Sequence, residues 1–276
     1  MKKAIKNILT ISTVVLGLSI STGCDSSSRA TTIIVGASTS PHADILEVAR
    51  PAIEAAGYTL KVVEYDDYVQ PNVALNDGSL DANYFQHLPY LTNFNEENGT
   101  EVVKAFSVHF EPLGIYSQKV TSIDDVASGS TVCIPNDASN GARALRLLEE
   151  QGLIALQSGL SAVNDITVDK IISNPKNLVI SELVAEQIPL QLADATVSIG
   201  VINGNYALAA AVTDYLIENA IEDKNSDLAV LYSNIVAVKS GNENTEKTNV
   251  LKAALLSDAV RTYITNTYDG IVVASF

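Results

Sequence analysis

Short β-branched runs alternate along this chain with stretches whose apolar residues recur at three- and four-residue spacing. Residues 32–35 form a strand-like run ending at Gly36. From 41 to 56, Ile45, Val48, Ala49, Ala52 and Ile53 repeat with a helical period, and Gly57 stops the pattern. Residues 60–65 alternate as a strand, 72–76 make a short helix before Gly78, and 80–85 read as a strand. A helix follows over 88–97, ended by Gly99, and then a strand over 102–106. After Pro112 the alternation starts again. Strands are expected at 113–117, 131–135, 178–182 and 196–202. Helices are expected over 140–151, closed by Gly152, and from about Tyr206. Residues 228–238 read as one long β-rich run, and 246–267 as helix.

Strand–helix alternation of this kind argues for an α/β fold with mostly parallel sheets. The restart near 113 and the apolar run near 228, where the chain can cross back, divide it into two lobes. The first takes residues 32–112 and 232–276, and the second takes 113–231. In such folds a ligand sits at the carboxyl ends of strands or in the cleft between lobes.

The N-terminus adds an address. Lys2, Lys3 and Lys6 precede an uncharged, mostly apolar stretch at 8–20. That stretch is shorter than the about 20 residues a membrane span needs, and suits a secretory signal over 1–23. Ser21-Thr22-Gly23 supplies small residues at the cut, Cys24 follows, and 24–31 form a Ser-rich tether. A signal ending in small residues before a cysteine resembles the bacterial lipoprotein signal, which implies a lipid on Cys24; Ser21 stands where that signal usually has Leu. The other cysteine, Cys133, lies in an apolar run and reads as a small buried hydrophobe.

The chain of 276 residues carries a net charge of −15. Loss of Lys2, Lys3 and Lys6 with the signal leaves 14 basic residues against 32 acidic ones, a net of −18. Such a surface repels phosphate backbones and excludes nucleic acid as a partner. It also leaves membrane attachment to a lipid rather than to a basic patch.

Catalytic signatures are missing: there is no G-x-S-x-G, no phosphate-binding glycine loop, no G-x-G-x-x-G and no H-E-x-x-H. No enzyme activity, cofactor or metal is therefore expected. His42, His87, His109 and Glu111 can be drawn as a zinc site, but their separations fit no standard ligand spacing. His42 reads as the start of a helix after Pro41, and His109 has no assigned role.

Several stretches together resemble the methionine-binding lipoprotein family of bacterial ABC importers (the MetQ/NlpA type). They include Pro41-His42-Ala43-Asp44-Ile45-Leu46, Tyr68-Val69-Gln70-Pro71-Asn72 and Asp81-Ala82-Asn83-Tyr84-Phe85-Gln86-His87. Further on come Ile134-Pro135-Asn136-Asp137 with Asn140 and Arg143, Asn174-Pro175-Lys176-Asn177-Leu178, and Val201-Ile202-Asn203-Gly204-Asn205-Tyr206-Ala207. They keep the family's order from about residue 33 onward, while 212–227 has no close match. The resemblance implies a two-lobed periplasmic-binding-protein fold (type II) that closes over an amino acid and delivers it to a membrane permease.

A methionine site makes three demands. The carboxylate wants a cationic fork, and Arg143, expected in the first turn of its helix, fits that role. Arg146 reads as a solvated helix arginine. The thioether wants an apolar slot with aromatic walls, for which Tyr68, Phe85 and His87 are candidates. Phe85 and His87 are two apart at a strand end and face one side if extended geometry persists. Tyr90 either joins them or packs under its own helix. The ammonium and the remaining oxygens want neutral polar partners, and Asn203 and Asn234 fit. Asn203-Gly204 is also a strong turn pair, and Asn140 is either a ligand contact or a helix cap.

The expected role is thus that of a lipid-anchored substrate-binding protein, partnered by methionine and an ABC permease. Its expected place is the periplasmic face of the inner membrane, since Asp25 after the cysteine resembles an inner-membrane retention signal, with the outer membrane or cell surface as the alternative. The alternatives are the same fold with a methionine derivative or another small amino acid, or a surface lipoprotein acting by protein contact.

Overall fold

The computed structural model describes residues 29–160 and 165–276. The expected signal and Cys24 lie outside the described residues. The first stretch runs β1 (Thr32–Ala37), α1 (Asp44–Ala55), β2 (Thr59–Glu64), α2 (Gln70–Asn76), β3 (Ala82–His87), α3 (Leu88–Asn98) and β4 (Val102–Phe110). The middle of the chain supplies β5 (Gly114–Tyr116), β6 (Thr131–Pro135), α4 (Ala138–Glu150), β7 (Ala155–Leu156), β8 (Ile171–Ser173) and β9 (Val179–Leu183). It continues with α5 (Ile188–Gln191), β10 (Val197–Ile202), α6 (Gly204–Ala209) and β11 (Leu216–Ile221). The chain then returns through α7 (Asp227–Leu231), β12 (Asn234–Lys239), α8 (Glu246–Leu255), α9 (Asp258–Thr267) and β13 (Val273–Ala274).

Two sheets result. The first has the order β13-β4-β12-β3-β1-β2, and the second β11-β5-β10-β6-β9. β1 runs parallel to β2 and β3, while β12 inserts antiparallel between β3 and β4. In the second sheet β6 runs parallel to β9 and β10, and β5 is antiparallel to β10 and β11. Parallel pairs need crossovers over a sheet face, and α1 is one. It buries Ile45, Leu46, Ala49 and Ile53 at helical spacing against Ile33 and Val35 of β1. Leu251 and Leu255 of α8 and Val260 and Ile264 of α9 complete that core. Full burial of each such aliphatic side chain stabilises by ~1.5–3 kcal/mol. The second lobe has its own core, in which Leu145 and Leu148 of α4 lie against Val132, Ile134, Ile199 and Val201. Cys133 is buried beside Ile188 and Leu192.

Three local expectations change. Residues 228–238 are not one strand: α7 and a turn come first, and the strand begins only at Asn234. Leu228, Val230 and Leu231 remain exposed while Ala229 and Tyr232 are buried, so this segment packs with helical rather than alternating spacing. Residues 246–267 form two helices, because Ser257 caps a new one by accepting from the Val260 N–H at 3.4 Å. The helix near 138 starts earlier than expected. Asp137 is its cap, accepting the Asn140 N–H at 2.9 Å, so Arg143 lies in the second turn rather than the first.

Strand β3 is buried along its whole length although it carries Asn83, Gln86 and His87. Asn72 of α2 resolves most of that cost. Its Oδ1 accepts from Asn83 Nδ2 at 2.8 Å and from Gln86 Nε2 at 2.7 Å, and its Nδ2 donates to Gln86 Oε1 at 2.9 Å. A fully satisfied buried amide set is rigid. It fixes the stretch of β3 from which Phe85 and His87 project.

Candidate functional site

A small, largely enclosed cavity lies between the lobes. The first lobe lines it with Tyr68, Phe85, Gln86, His87, Tyr90, Glu111 and Asn234. The second contributes Asn140, Arg143, Asn203, Gly204 and Asn205. Every ligand-binding residue expected from the sequence lines this one cavity, and Tyr90 joins them.

The apolar wall is aromatic. Tyr68 stands 5.8 Å from Phe85 and 5.6 Å from Tyr90 between ring centroids, and Phe85 stands 6.1 Å from Tyr90. These are edge-on or tilted contacts, the arrangement ring quadrupoles prefer. The phenols hold the lobes together. Tyr68 OH donates to Asn205 Oδ1 at 2.6 Å, and Tyr206 OH donates to the Asp66 carbonyl at 3.1 Å.

His87 has two duties. Its Nδ1 accepts the Tyr90 N–H at 3.2 Å and caps α3, which leaves Nε2 to carry the proton and donate to Asn140 Oδ1 at 3.1 Å across the cleft. Burial, then the nearby Arg143 charge, bring its pKa down to about 3, so the ring is neutral. Asn140 is not the helix cap, since Asp137 has that role. Its Oδ1 instead collects His87, Asn203 Nδ2 at 2.8 Å and Arg143 Nη1 at 3.4 Å. The other amide oxygen of this group, Asn203 Oδ1, is buried and has no hydrogen-bond partner among the described residues.

Arg143 is itself buried, and its fork is already held. Nε donates to Glu222 Oε1 at 3.0 Å, Nη2 donates to Glu222 Oε2 and, at 3.1 Å, to the Glu111 carbonyl. The Tyr232 ring lies 4.4 Å from the guanidinium carbon. Only the Nη1 corner remains for a ligand. The two-pronged carboxylate contact expected of Arg143 is thus occupied by a residue of the chain. Glu222 was not legible in the sequence, because its partner lies 79 residues away.

Glu111 is the second group that sequence reasoning left unplaced. His109 Nε2 donates to its Oε1 at 2.7 Å, and His42 Nε2 approaches the same oxygen at 3.4 Å. His42 Nε2 also donates to Asn234 Oδ1 at 3.0 Å, and Tyr84 OH bonds His109 Nδ1. Burial takes His42 down to about 4 against the opposing pull of Glu111, and burial takes His109 to about 3. Burial also raises the Glu111 carboxyl above the ordinary range. Gly204 allows α6 to approach this close, since a Cβ there would lie 2.8 Å from Glu111 Oε2. The donor atoms of His42, His109 and Glu111 lie within 4.8 Å of one another, so the set has the atoms to hold a metal ion. Its imidazole N–H groups already spend themselves on the carboxylate and on Asn234, which is the pattern of a hydrogen-bonded cluster. His42 is therefore a buried donor behind the cavity rather than simply a helix start.

No helix among the described residues is long and apolar enough to cross a membrane. The family model described as NlpA lipoprotein matches residues 33–276. The methionine-binding lipoprotein MetQ of Bacillus subtilis (strain 168) is 40% identical over 249 residues, 87% of each chain. The membrane lipoprotein TpN32 of Treponema pallidum (strain Nichols) is 37% identical over 243 residues, 88% of each chain. Among solved structures, a nutrient-binding protein from Burkholderia cenocepacia bound to methionine superposes with a TM-score of 0.82 at 41% identity. That match covers 88% of this chain and 100% of the other.

Proposed function

We propose, from the premise that this chain belongs to the NlpA lipoprotein family, that it is the substrate-binding component of an ABC importer and that its ligand is methionine. The observation that carries the reading is a single cavity in which a buried guanidinium corner, an unpartnered amide oxygen and an aromatic wall converge. These are complements of a carboxylate, an ammonium and a thioether. The methionine-bound relative from Burkholderia cenocepacia supports the same ligand class.

Each contact follows from the hydrogen-bond directions. Asn234 spends its Oδ1 on His42, so its Nδ2 turns toward the cavity and, with Arg143 Nη1, receives the carboxylate. Asn203 Oδ1, left without a donor, takes the ammonium, and Glu111 supplies the opposite charge nearby. Tyr68, Phe85 and His87 wall the thioether, where sulfur–aromatic contact adds ~0.3–1.5 kcal/mol over apolar burial. Asn140 orients Arg143, Asn203 and His87 together. Cys24 carries the lipid, which holds the protein on the outer face of the inner membrane beside its permease.

Small molecules released by denaturing freshly purified protein and identified by mass spectrometry test the reading. Methionine is the expected product. Calorimetry on the stripped protein should then find methionine bound more tightly than norleucine, which lacks the sulfur. Release of an unrelated metabolite, with no heat from methionine, would overturn the assignment.

A further inference from the structure

We propose that Glu222 sets the charge selectivity of the cleft: by holding the Arg143 fork it cancels the guanidinium charge, so that a carboxylate is accepted only when an ammonium comes with it. The inference rests on the methionine reading and deepens it.

The geometry behind it is a clamp. Glu222 engages Nε and Nη2 of Arg143 with both oxygens. It is fixed in turn by the chain crossing between lobes, for its Oε2 accepts the Leu113 N–H at 2.9 Å and its own N–H donates to the Leu113 carbonyl at 3.0 Å. Tyr232, on the returning crossing, covers the face of the guanidinium. The ion pair is buried, with side-chain exposures of 3% for Arg143 and 14% for Glu222. A guanidinium so paired offers an incoming anion one N–H corner and little net charge.

Among the described residues, Arg143 and Glu111 are the only charged ones lining the cavity. With Arg143 compensated, the acidic group facing a ligand is Glu111, whose Oε1 accepts from His109 Nε2 at 2.7 Å and has no cation paired with it. A bare carboxylate then enters a site with no free cation, and stripping it of water is expensive without one. A zwitterion brings its own ammonium, which Glu111 and Asn203 receive. The clamp thus turns an arginine that would attract any small carboxylate into a partner for amino acids. Without Glu222 the full guanidinium charge returns to the cavity, and an anionic analogue gains most.

The test compares L-methionine with 4-(methylthio)butanoate, the same molecule with hydrogen in place of the ammonium. Both are titrated calorimetrically into wild-type protein, Glu222→Gln and Glu222→Asp, with thermal melts on each. The readout is the ratio of the analogue's Kd to that of methionine. Wild type should give a large ratio. Glu222→Gln keeps the shape and an acceptor for Leu113 but removes the charge, and should lower the ratio at least tenfold. Glu222→Asp draws the carboxylate one methylene back and should fall between the two, which keeps the test open if the Gln variant fails to fold. A merely structural role would weaken both ligands alike. A ratio unchanged in whichever variant folds overturns the inference while leaving methionine as ligand. Wild-type protein that binds methionine not at all overturns the functional reading and this inference with it.

Discussion

Two glutamates reach the same cleft from opposite lobes and end in opposite company. Glu222, from the second lobe, meets Arg143 and is compensated by a full positive charge. Glu111, at the end of the first lobe's β4, meets His42 and His109, which burial keeps neutral, and the peptide N–H of Asn205. One carboxylate is paired with a full positive charge, and the other is held at the cavity wall by neutral donors alone. The contrast teaches that a charged residue near a pocket says little about the pocket's field until its partner is known. By composition the cleft and its backing read as one cation and two glutamates, whereas by pairing they read as one charge-compensated fork and one glutamate met by neutral donors.

The largest expected effect breaks the first pair. Arg143→Ala removes the ligand's N–H corner and leaves the largely buried Glu222 without its positive partner, held only by the Leu113 N–H. Loss of one side of a buried charged pair costs ~2–5 kcal/mol in binding, which is roughly thirtyfold to several thousandfold in methionine affinity. The orphaned Glu222 should lower the melting temperature as well. Folded Arg143→Ala protein that binds within a factor of about three of wild type would place the carboxylate elsewhere.

Glu111→Gln tests the second carboxylate while keeping one oxygen that can accept from His109. Methionine affinity at neutral pH should fall by about tenfold, near 1.4 kcal/mol. Binding of 4-(methylthio)butanoate should not fall, because it has no ammonium to lose. Equal losses for the two ligands in calorimetry would mean that Glu111 serves packing alone.

Acid should expose the histidine cluster. His42, His87 and His109 ionise near 6.5 in the unfolded chain but only at about 4, 3 and 3 in the folded one. Between those values the unfolded state binds more protons, so stability should drop as pH falls from about 6.5 toward 4. Glu111 works the other way. Its raised carboxyl favours the fold when protonated, and that contribution fades as pH rises. Melting scans should show a net loss in acid that Glu111→Gln steepens and His109→Gln flattens. A flat profile from pH 7 to 4 would show that these rings are not held neutral by the fold.

The smallest effect is expected one turn beyond Arg143. Arg146 pairs with Glu149 at 3.0 Å with both side chains about a third exposed, and such bridges contribute ~0–1 kcal/mol. Arg146→Ala should bind methionine like wild type. A loss comparable to that of Arg143→Ala would dissolve the distinction between the buried arginine and its solvated neighbour.

The sequence was most informative where local pattern and packing agree. The strand at 131–135 and the helix stop at Gly99 could be read from periodicity and glycine alone. Tyr68, Phe85, His87, Asn140, Arg143, Asn203 and Asn234 could be gathered from the family resemblance. Other features depend on partners distant in the chain. Apolar residues 228–231 have a strand's composition but are held as α7, where the crossing must turn before Asn234 pairs with His87 and His109. Glu222 falls in the segment with the weakest resemblance, at the end of an edge strand, with nothing in its neighbours to mark it. Glu111 was visible only as an unconvincing metal ligand, because the charge of its histidine neighbours is set by burial that no spacing reveals.

The position of β12 has a consequence for the order in which the molecule can be assembled. Strands β3 and β4 are consecutive in the chain yet never touch, since β12 occupies the slot between them. That slot stays empty until residues 234–239 emerge, long after β4 has been made. All five strands of the second sheet come from residues 114–221 and need nothing later. Pairings across long separations form late, because the connecting loop must be closed before its contacts reward it. The second lobe can therefore mature while the first waits for its missing strand. Asn234, the first residue of that strand, also forms part of the cleft wall. A copy cut before residue 234 would have neither a closed first sheet nor a finished cleft.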